Sequence, residues 1–383
     1  MEIELSERIR NLAPSATLAV GRKAKELQAK GIQVLNLSVG EPDFPPAPEA
    51  RDAVIAAAKT PARYTDSRGV LSLREAVCRR AKEDLGLSYA PDQVVVSCGS
   101  KHTLYNLFQS LLDPGDEVVI PVPYWTSYPE MVRLAGGVPV FVRPKDGFKV
   151  RPEDLEPAIT PKTKLLIINS PNNPSGVVYD RDDLAAIAAW LRKKDLMVIS
   201  DDAYQYFIYN GRPFCNLAVF PGLTERTLIV GAASKTYAMT GWRCGWFLGP
   251  KEVADAVAKL QDQSTSNPSS LAQSAAEAAL KGSQASVREM LAAFQRRQKI
   301  LLEKISAVKK ISCAAPDGAF YLFFTHPAIQ NSADFASRLL EEKQVALVPG
   351  IAFGLEGYLR LSYAVSEDVL TAAAARLVEF LEK

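Results

Sequence analysis

Between residues 90 and 250 the chain alternates short apolar runs rich in β-forming residues with longer segments of helical periodicity. The predicted strands are residues 94–97, 117–121, 138–142, 164–168, 196–200, 227–230 and 245–248. The predicted helices between them, with apolar residues at i, i+3 and i+4, are 101–112, 125–134 and 182–192. Strands that are apolar on both faces and separated by helices favour a mostly parallel sheet covered on both sides. The pattern predicts an α/β fold whose ligands bind at the carboxyl ends of the strands.

The character of the chain changes after residue 250. Helical patterns cover residues 251–261, 287–306, 333–343 and 367–381, and the predicted strands are 319–324, 346–348 and 358–361. This mixture predicts a second, smaller α+β unit. We therefore expect a large domain over residues 46–285, with a mostly parallel mixed sheet flanked by helices. We expect a small domain over 286–383, joined by the N-terminal segment 1–45.

Composition excludes several classes of function. The 383 residues carry 45 Lys and Arg against 43 Asp and Glu, and no basic stripe favours nucleic acid or a membrane as partner. The five cysteines are scattered, with no CxxC pair, which indicates a reduced protein of the cytoplasm. The two histidines are isolated, so we expect no metal site. The chain shows no signal-peptide pattern and no apolar run of about 18 residues that would span a membrane.

Lys235 follows a predicted strand and the small residues 231–233, which leave space for a ligand. A lysine amine can form a Schiff base with an aldehyde cofactor. Arg243, with its permanent charge and forked head, could clamp the phosphate of such a cofactor beside Ser234. By itself Lys235 is more simply an exposed loop lysine, and the surrounding pattern is what favours a cofactor site.

Asp201 ends a predicted strand and is followed by Tyr204. A carboxylate here could pair with a protonated pyridine nitrogen and keep the ring electron-withdrawing, while Tyr204 could bond the phenolic oxygen of the ring. An aspartate after a strand could equally cap the next helix. The segment alone leaves both interpretations open.

Gly99, Ser100 and Lys101 lead from a predicted strand into a predicted helix. Backbone N–H groups at a helix start bind phosphate, and glycine allows a close approach of the backbone. The spacing of a nucleotide-binding P-loop is absent. A lone glycine at such a position is more often only a turn.

Three further residues lie in segments of unusual composition. Asn173, in a loop rich in proline and asparagine, could aim its amide at the edge of the sheet. Trp125 could lie flat against an aromatic ring. Taken alone, a loop like that of Asn173 is more often only a turn, and an aromatic residue like Trp125 is more often part of the core. Arg360 lies in an apolar strand, where an arginine needs a partner, either a ligand carboxylate or an Asp or Glu of the chain.

Taken together, these segments resemble the class I aminotransferases of fold type I, and within them the aspartate aminotransferase subgroup found in many bacteria. The resemblance covers nearly the whole chain. It rests on the motifs PSAT at 14–17, GEPDF at 40–44, SPNNPSG at 170–176, SKTYAMTGWR at 234–243, GAFY at 318–321 and RLSYA at 360–364.

The resemblance implies pyridoxal 5′-phosphate as cofactor, transamination between an L-amino acid and a 2-oxo acid, and a homodimer with shared active sites. Lys235 would hold the cofactor and act as acid and base in the proton shift. The cofactor would also be bound by Gly99, Ser100, Lys101, Trp125, Asn173, Asp201, Tyr204, Ser234, Arg243 and, from the neighbouring subunit, Tyr64. The substrate would be bound by Gly40, Trp125, Asn173, Thr17, Lys101 and Arg360, with Arg360 gripping the α-carboxylate.

The pairing of Thr17 with Lys101 implies dicarboxylic substrates, with aspartate and 2-oxoglutarate giving oxaloacetate and glutamate. Prephenate, a bulkier dicarboxylate that some members of the subgroup accept, is compatible with the same pair. Lys101 could instead merely favour the phosphate at its helix start. Ala232 departs from the family pattern, because many relatives carry a serine there that touches the phosphate.

Other functions stay open at this stage. An aminotransferase of aromatic or alanine-type substrates, or a carbon–sulfur lyase, would keep the cofactor, although the pairing of Thr17 with Lys101 argues against both. A non-catalytic regulator that binds the cofactor would need an N-terminal DNA-binding domain, for which about a dozen residues before the first motif are too few. A nucleotide-binding α/β enzyme would need a glycine fingerprint that this chain lacks.

Overall fold

The computed structural model describes residues 3–382, and the side chains of Ala16 and Thr17 lie outside that description. Its strands in the described part are β1 Leu35–Asn36, β2 Val94–Ser97, β3 Glu117–Pro121, β4 Val138–Val142, β5 Thr163–Asn169, β6 Met197–Asp201, β7 Thr227–Ala232, β8 Gly245–Leu248, β9 Ser312–Cys313, β10 Tyr321–Thr325, β11 Val345–Ala346, β12 Val348–Pro349 and β13 Tyr358–Ser362.

The α-helices of the same residues are α1 Glu7–Arg10, α2 Ala16–Ala29, α3 Pro48–Ala57, α4 Leu71–Leu85, α5 Ser100–Leu111, α6 Tyr128–Leu134, α7 Pro152–Leu155, α8 Arg181–Leu191, α9 Ala233–Thr236, α10 Lys251–Asp262, α11 Ser270–Lys281, α12 Ala285–Ile305, α13 Ser332–Lys343 and α14 Glu367–Leu381. Short 3₁₀ helices cover Pro91–Gln93, Glu156–Ala158, Leu217–Val219, Thr224–Arg226, Thr240–Trp242 and Gly350–Phe353.

A seven-stranded sheet forms the centre of the large unit, in the order β2-β8-β7-β6-β5-β3-β4. Its neighbouring strands are parallel except for β8, which runs antiparallel to both β2 and β7. The prediction of a mostly parallel, mixed sheet is therefore confirmed. Seven strand predictions and three helix predictions in this region match observed elements, with most boundaries within one residue.

Both faces of this sheet are buried along its central strands, whereas the edge strand β4 leaves Val138 and Phe141 exposed. Along β5, Leu165 and Ile167 pack into one apolar cluster with residues of α5, α6 and α10. The alternating residues Leu166 and Ile168 pack into another cluster with residues of α8. Because successive side chains of a strand point to opposite faces, this division explains why the strands are continuously apolar in the sequence.

Two predicted elements differ most from those observed. The helix predicted over 125–134 begins only at Tyr128, because the preceding residues form a turn in which the Tyr128 amide donates to the Trp125 carbonyl over 3.0 Å. The strand predicted over 346–348 is two short strands, β11 and β12, which belong to different sheets. The pattern of apolar residues does not show that the chain changes its neighbouring strand within these three residues, so the break between β11 and β12 could not be predicted.

The C-terminal part contains an antiparallel sheet in the order β12-β13-β10-β9, which packs against α13, while α14 packs against α12, α13 and the strands β1 and β11. Strand β1, from the N-terminal segment, pairs in parallel with β11 of this part. The exact domain boundaries at residues 45/46 and 285/286 stay a prediction. Within residues 3–382 no helix is long and apolar enough to cross a membrane, and no His, Cys, Asp and Glu side chains form a group suited to a metal ion.

Candidate active site

The carboxyl ends of three neighbouring parallel strands meet at one edge of the sheet. Asp201 is the last residue of β6 and lies in register between Asn169 of β5 and Val230 of β7. The chain leaves β7 into the single-turn helix α9, which contains Lys235. The polar residues predicted to follow the strands are thus gathered at the edge where ligands bind in parallel sheets.

Lys235 is partly buried at this edge, and its Nζ donates a 2.6 Å hydrogen bond to the carbonyl oxygen of Gly40. Burial lowers the pKa of Lys235 to about 8, and the positive charges of Arg360, Arg243 and Lys101 act in the same direction against the raising effect of Glu41. A lysine in this range is partly neutral at physiological pH and can act as a nucleophile or a base.

Asp201 is 5% exposed and accepts a 2.6 Å hydrogen bond from the hydroxyl of Tyr128. Its other oxygen accepts from the backbone amide of Ala203 over 3.2 Å. Burial raises the pKa of Asp201, while the Tyr128 and Ala203 hydrogen bonds and the charge of Lys235 oppose that rise. A buried carboxylate of this kind is stabilised by a cationic partner, such as a protonated ring nitrogen.

The N-terminus of α5 forms a cup suited to an anion. Gly99 precedes the helix with φ of 86°, and a Cβ at this position would clash with the guanidinium of Arg243. Arg243 itself has left-handed backbone dihedrals and donates to the carbonyls of Thr240, over 2.7 Å, and of Cys98, over 3.3 Å. The amides of Ser100 and Lys101 begin a twelve-residue helix, where phosphate groups bind readily.

Arg360 is the most informative residue of the site. It is 2% exposed in β13, and its guanidinium donates to Asn173 Oδ1 over 3.0 Å and to the Ser38 carbonyl over 2.6 Å. Its Nε has no hydrogen-bond partner. Among the described residues no carboxylate forms an ion pair with it, whereas buried Arg297 has a two-point ion pair with Asp43. Of the two interpretations left open by the sequence, the internal ion pair is therefore excluded for the described chain.

Two aromatic residues complete the cluster. Tyr204 is buried, and its hydroxyl lies 2.8 Å from the hydroxyl of Tyr321. Trp125 is half-buried and packs edge to face against Tyr128. The Nζ of Lys101 lies over the Trp125 ring, 5.1 Å from its centroid. Lys101 is exposed, and Ser234 is buried next to Lys235.

One predicted site residue, Tyr64, is not brought into this cluster. Tyr64 is 92% exposed and lies in a loop before α4. Thr17 belongs to α2, and its side chain lies outside the described part of the structure. The roles predicted for these two residues stay predictions.

Three residues of the site were missed by the sequence reasoning. Tyr128 and Tyr321 bond Asp201 and Tyr204, and the carbonyl of Ser38 holds Arg360. The sequence did contain a signal for Tyr321, because this residue ends the GAFY motif and no role had been assigned to the aromatic residues of that motif. The sequence contained no signal for Ser38, because its contact with Arg360 is made by the backbone carbonyl, which every residue type has.

The geometry passes a chemical test for a phosphorylated aldehyde on a pyridine ring. An amine with a lowered pKa suits the aldehyde, a buried carboxylate suits the ring nitrogen, and a glycine-lined helix start with an arginine suits the phosphate. A cavity of about 970 Å³ opens beside the cup, lined among others by Lys101, Tyr105, Arg243 and the N-terminal residues 12–15. The unpaired Arg360 supplies a separate place for a carboxylate.

Comparisons with known proteins agree with this chemistry. The family model for aminotransferase class I and II matches residues 32–377. The chain is 44% identical to an aspartate aminotransferase of Geobacillus stearothermophilus, with 99% of each chain covered. It is 42% identical to an aspartate/prephenate aminotransferase of Nitrosomonas europaea, covering 99% of this chain and all of the relative. The solved aspartate aminotransferase of Thermus thermophilus with maleate superimposes with a TM-score of 0.94 at 42% identity, covering 99% and 100% of the two chains.

Proposed function

Because the chain belongs to the class I and II aminotransferase family, we propose that it transfers the amino group of L-aspartate to 2-oxoglutarate with pyridoxal 5′-phosphate as cofactor. The observation that carries the proposal is the buried Arg360, for which no described carboxylate of the chain serves as partner. A substrate α-carboxylate would supply the missing charge and accept from the free Nε. The guanidinium is already oriented by Asn173 and Ser38.

When bound, the cofactor supplies an electron-withdrawing ring that weakens the Cα–H bond of the substrate. Asp201 holds a proton on the ring nitrogen, because a cationic partner offsets the cost of its burial. Arg243 and the amides of Ser100 and Lys101 hold the phosphate. The serine that many relatives place at the position of Ala232 is absent, so the phosphate has one hydroxyl contact fewer in this chain.

Lys235 moves the proton. With a pKa near 8, its Nζ is partly neutral at physiological pH and accepts a proton from the substrate Cα. The carbonyl of Gly40, 2.6 Å away, fixes the direction of the Nζ protons. A base positioned in this way contributes about 10² to 10⁴ in rate.

A dicarboxylic substrate fits the two cations Arg360 and Lys101 of the proposed site. With Arg360 engaged by the α-carboxylate, Lys101 offers a second cation for the distal carboxylate, with Thr17 as its proposed companion. Maleate, present in the solved Thermus thermophilus relative, is itself a dicarboxylate. One of the similar proteins is an aspartate/prephenate aminotransferase, so we include prephenate as a second acceptor.

We propose a homodimer as the functional unit, in the cytoplasm. Tyr64 is exposed and would complete the phosphate site of the neighbouring subunit. The test mixes two inactive variants, Lys235→Ala and Tyr64→Ala, under conditions that exchange subunits. About a quarter of the parent activity should return, because half of the dimers are mixed and each of these has one complete site of two. A mixture that stays inactive contradicts shared sites.

The test of the activity is a half-reaction. The protein loaded with pyridoxal phosphate is scanned for the absorbance of the bound cofactor while L-aspartate, L-glutamate, L-phenylalanine and L-alanine are added separately. Loss of the band with the two dicarboxylates, with release of a 2-oxo acid, is the expected result. Prephenate is then added to the aminated form, and its conversion to an amino acid identifies it as an acceptor.

Other outcomes identify the competing functions. Loss of the band with phenylalanine or alanine alone indicates an aminotransferase of aromatic or alanine-type substrates. Release of sulfide or thiol from a cysteine-type substrate indicates a carbon–sulfur lyase. A protein that acquires no cofactor band contradicts the proposal entirely.

A further inference from the structure

Tyr321 lies between the two halves of the proposed site. It is 1% exposed in β10, and its hydroxyl is 2.8 Å from that of Tyr204. The guanidinium carbon of Arg360 lies 4.5 Å from the centroid of its ring. A Cβ on Gly40 would overlap the same hydroxyl, so only glycine leaves room for it. One side chain therefore contacts the residue proposed for the substrate carboxylate and the residue proposed for the cofactor oxygen.

The sheet register explains this placement. Strands β10 and β13 are antiparallel, with Phe323 opposite Arg360 and Tyr321 opposite Ser362. Residues two apart on a strand share a face, so Tyr321 is the diagonal neighbour of Arg360 on the face that points to the site. The guanidinium then lies over the aromatic ring, an arrangement that attracts a cation.

The proposed function determines which of the two hydroxyls donates in the hydrogen bond between Tyr321 and Tyr204. Each phenol has a single proton to donate. If Tyr204 is to donate to the phenolic oxygen of the cofactor, the bond it shares with Tyr321 must be donated by Tyr321. Tyr204 is the one acceptor for the Tyr321 hydroxyl among the described residues. The protons are thus ordered from Tyr321 to Tyr204 and on to the site.

We propose that Tyr321 is a positioning residue that couples Arg360 to Tyr204, so that the binding of a substrate carboxylate changes how strongly Tyr204 donates to the cofactor. The inference rests on the function proposed above and adds a route between the carboxylate site and the cofactor.

The coupling is electrostatic. The charge of Arg360 lowers the pKa of the Tyr321 phenol against the dominant raising effect of burial, and so strengthens its donation to Tyr204. A substrate carboxylate on Arg360 cancels that charge, and the donation weakens along the chain of hydroxyls. The negative charge on the phenolic oxygen of the cofactor is then less stabilised, so its titration moves to higher pH. The other ionisable groups that face Tyr321 are Tyr204, Glu41 and Tyr363.

The test is a spectroscopic titration of the loaded enzyme with and without maleate, a dicarboxylate that has no amino or oxo group to react. The first variant is Tyr321→Phe, which keeps the ring beneath Arg360 and removes the hydroxyl. The matched control is Tyr209→Phe, because Tyr209 and Tyr363 form another buried pair of hydroxyls, 3.1 Å apart. Thermal melting checks that each variant is folded.

Without maleate, Tyr321→Phe should titrate about one pH unit higher than the parent, because Tyr204 loses the hydrogen bond that strengthens its own donation to the charged form. The upward shift that maleate causes in the parent should shrink to less than about half. The control variant should titrate as the parent does in both conditions. In turnover, Tyr321→Phe should lower kcat for aspartate several-fold with little change in KM, because Arg360 keeps its contacts.

A second variant ensures that the test does not rest on Tyr321→Phe alone. Tyr204→Phe breaks the same bond from the other side, so it should also lose most of the shift caused by maleate, and adding Tyr321→Phe to it should change nothing further. An unchanged shift in either single variant overturns the coupling. If the parent binds no cofactor, or aspartate does not convert the bound cofactor, the proposed function fails instead, so the two failures are distinguishable.

Discussion

The Nζ of Lys235 donates to the carbonyl oxygen of Gly40 over 2.6 Å, although the two residues are 195 positions apart. The bond joins the edge of the central sheet to the segment that follows β1. Burial and three nearby cations hold the pKa of this lysine at about 8. The same amine must be neutral to attack an aldehyde, so its pKa sets the pH at which the cofactor is captured.

Capture of pyridoxal phosphate by the cofactor-free protein should therefore accelerate as the pH rises and level off above about 8. Below this pH most of Lys235 is protonated and unreactive, and above it the amine is free. The measurement is the initial rate at which the cofactor band appears after mixing, at a series of pH values. A midpoint near the ordinary lysine value of 10.5 would contradict the lowered pKa.

Arg360→Lys should raise KM for aspartate by about 10² or more, because lysine keeps the charge but loses the two-point fork. The control is Arg297→Lys, a second buried arginine whose carboxylate partner Asp43 lies within the chain. We expect that variant to lose stability and to keep its KM. Steady-state kinetics and thermal melting separate the two effects. An unchanged KM in Arg360→Lys would remove Arg360 from the carboxylate site.

Tyr128→Phe should shift the acid limb of the pH–rate profile to higher pH. The Tyr128 hydrogen bond lowers the pKa of Asp201 against the effect of burial, so its loss raises that pKa further. Asp201 must be ionised to hold the ring proton, and activity disappears as the pH falls through its pKa. Tyr179→Phe changes another buried tyrosine, whose hydroxyl accepts from the Val150 amide; it is the control and should leave the profile unchanged.

Lys101→Gln separates the two roles that the sequence left open for this residue. If Lys101 binds the distal carboxylate, KM for aspartate rises about tenfold to a hundredfold, as expected for a lost charged hydrogen bond, while turnover of alanine is unaffected. If it serves the phosphate, the dissociation constant of the cofactor rises instead. Kinetics with both amino acids, together with cofactor titration, distinguish the outcomes.

The sequence predicted the parts of this fold that depend on local pattern. Mainly apolar runs of four or five residues marked the strands of the central sheet, because most of these strands are buried on both faces. Lys235 and Asp201 became candidates partly for the same reason, since both come at or after the ends of such strands, and the surrounding motifs then favoured a cofactor site. The start of α6 was misplaced, because three polar and aromatic residues that form a turn have the composition of a helix start.

Contacts between residues far apart in the chain could not be predicted from the sequence. The hydrogen bond from Tyr128 to Asp201 spans 73 positions, and that from Arg360 to the Ser38 carbonyl spans 322. No periodicity relates such residues, and their meeting depends on how the strands are ordered in the sheets. The unpaired state of Arg360 was equally hidden, because a sequence does not say which carboxylates reach a buried arginine.

In the proposed mechanism, Lys235 carries the cofactor. The most direct measurement reduces the loaded protein with borohydride, which fixes the cofactor to its lysine, and then locates the modified residue by peptide mass spectrometry. We expect modification of the peptide that contains Lys235 and none in Lys235→Ala. Modification of Lys101 or another lysine in the parent protein, or none at all, would contradict it.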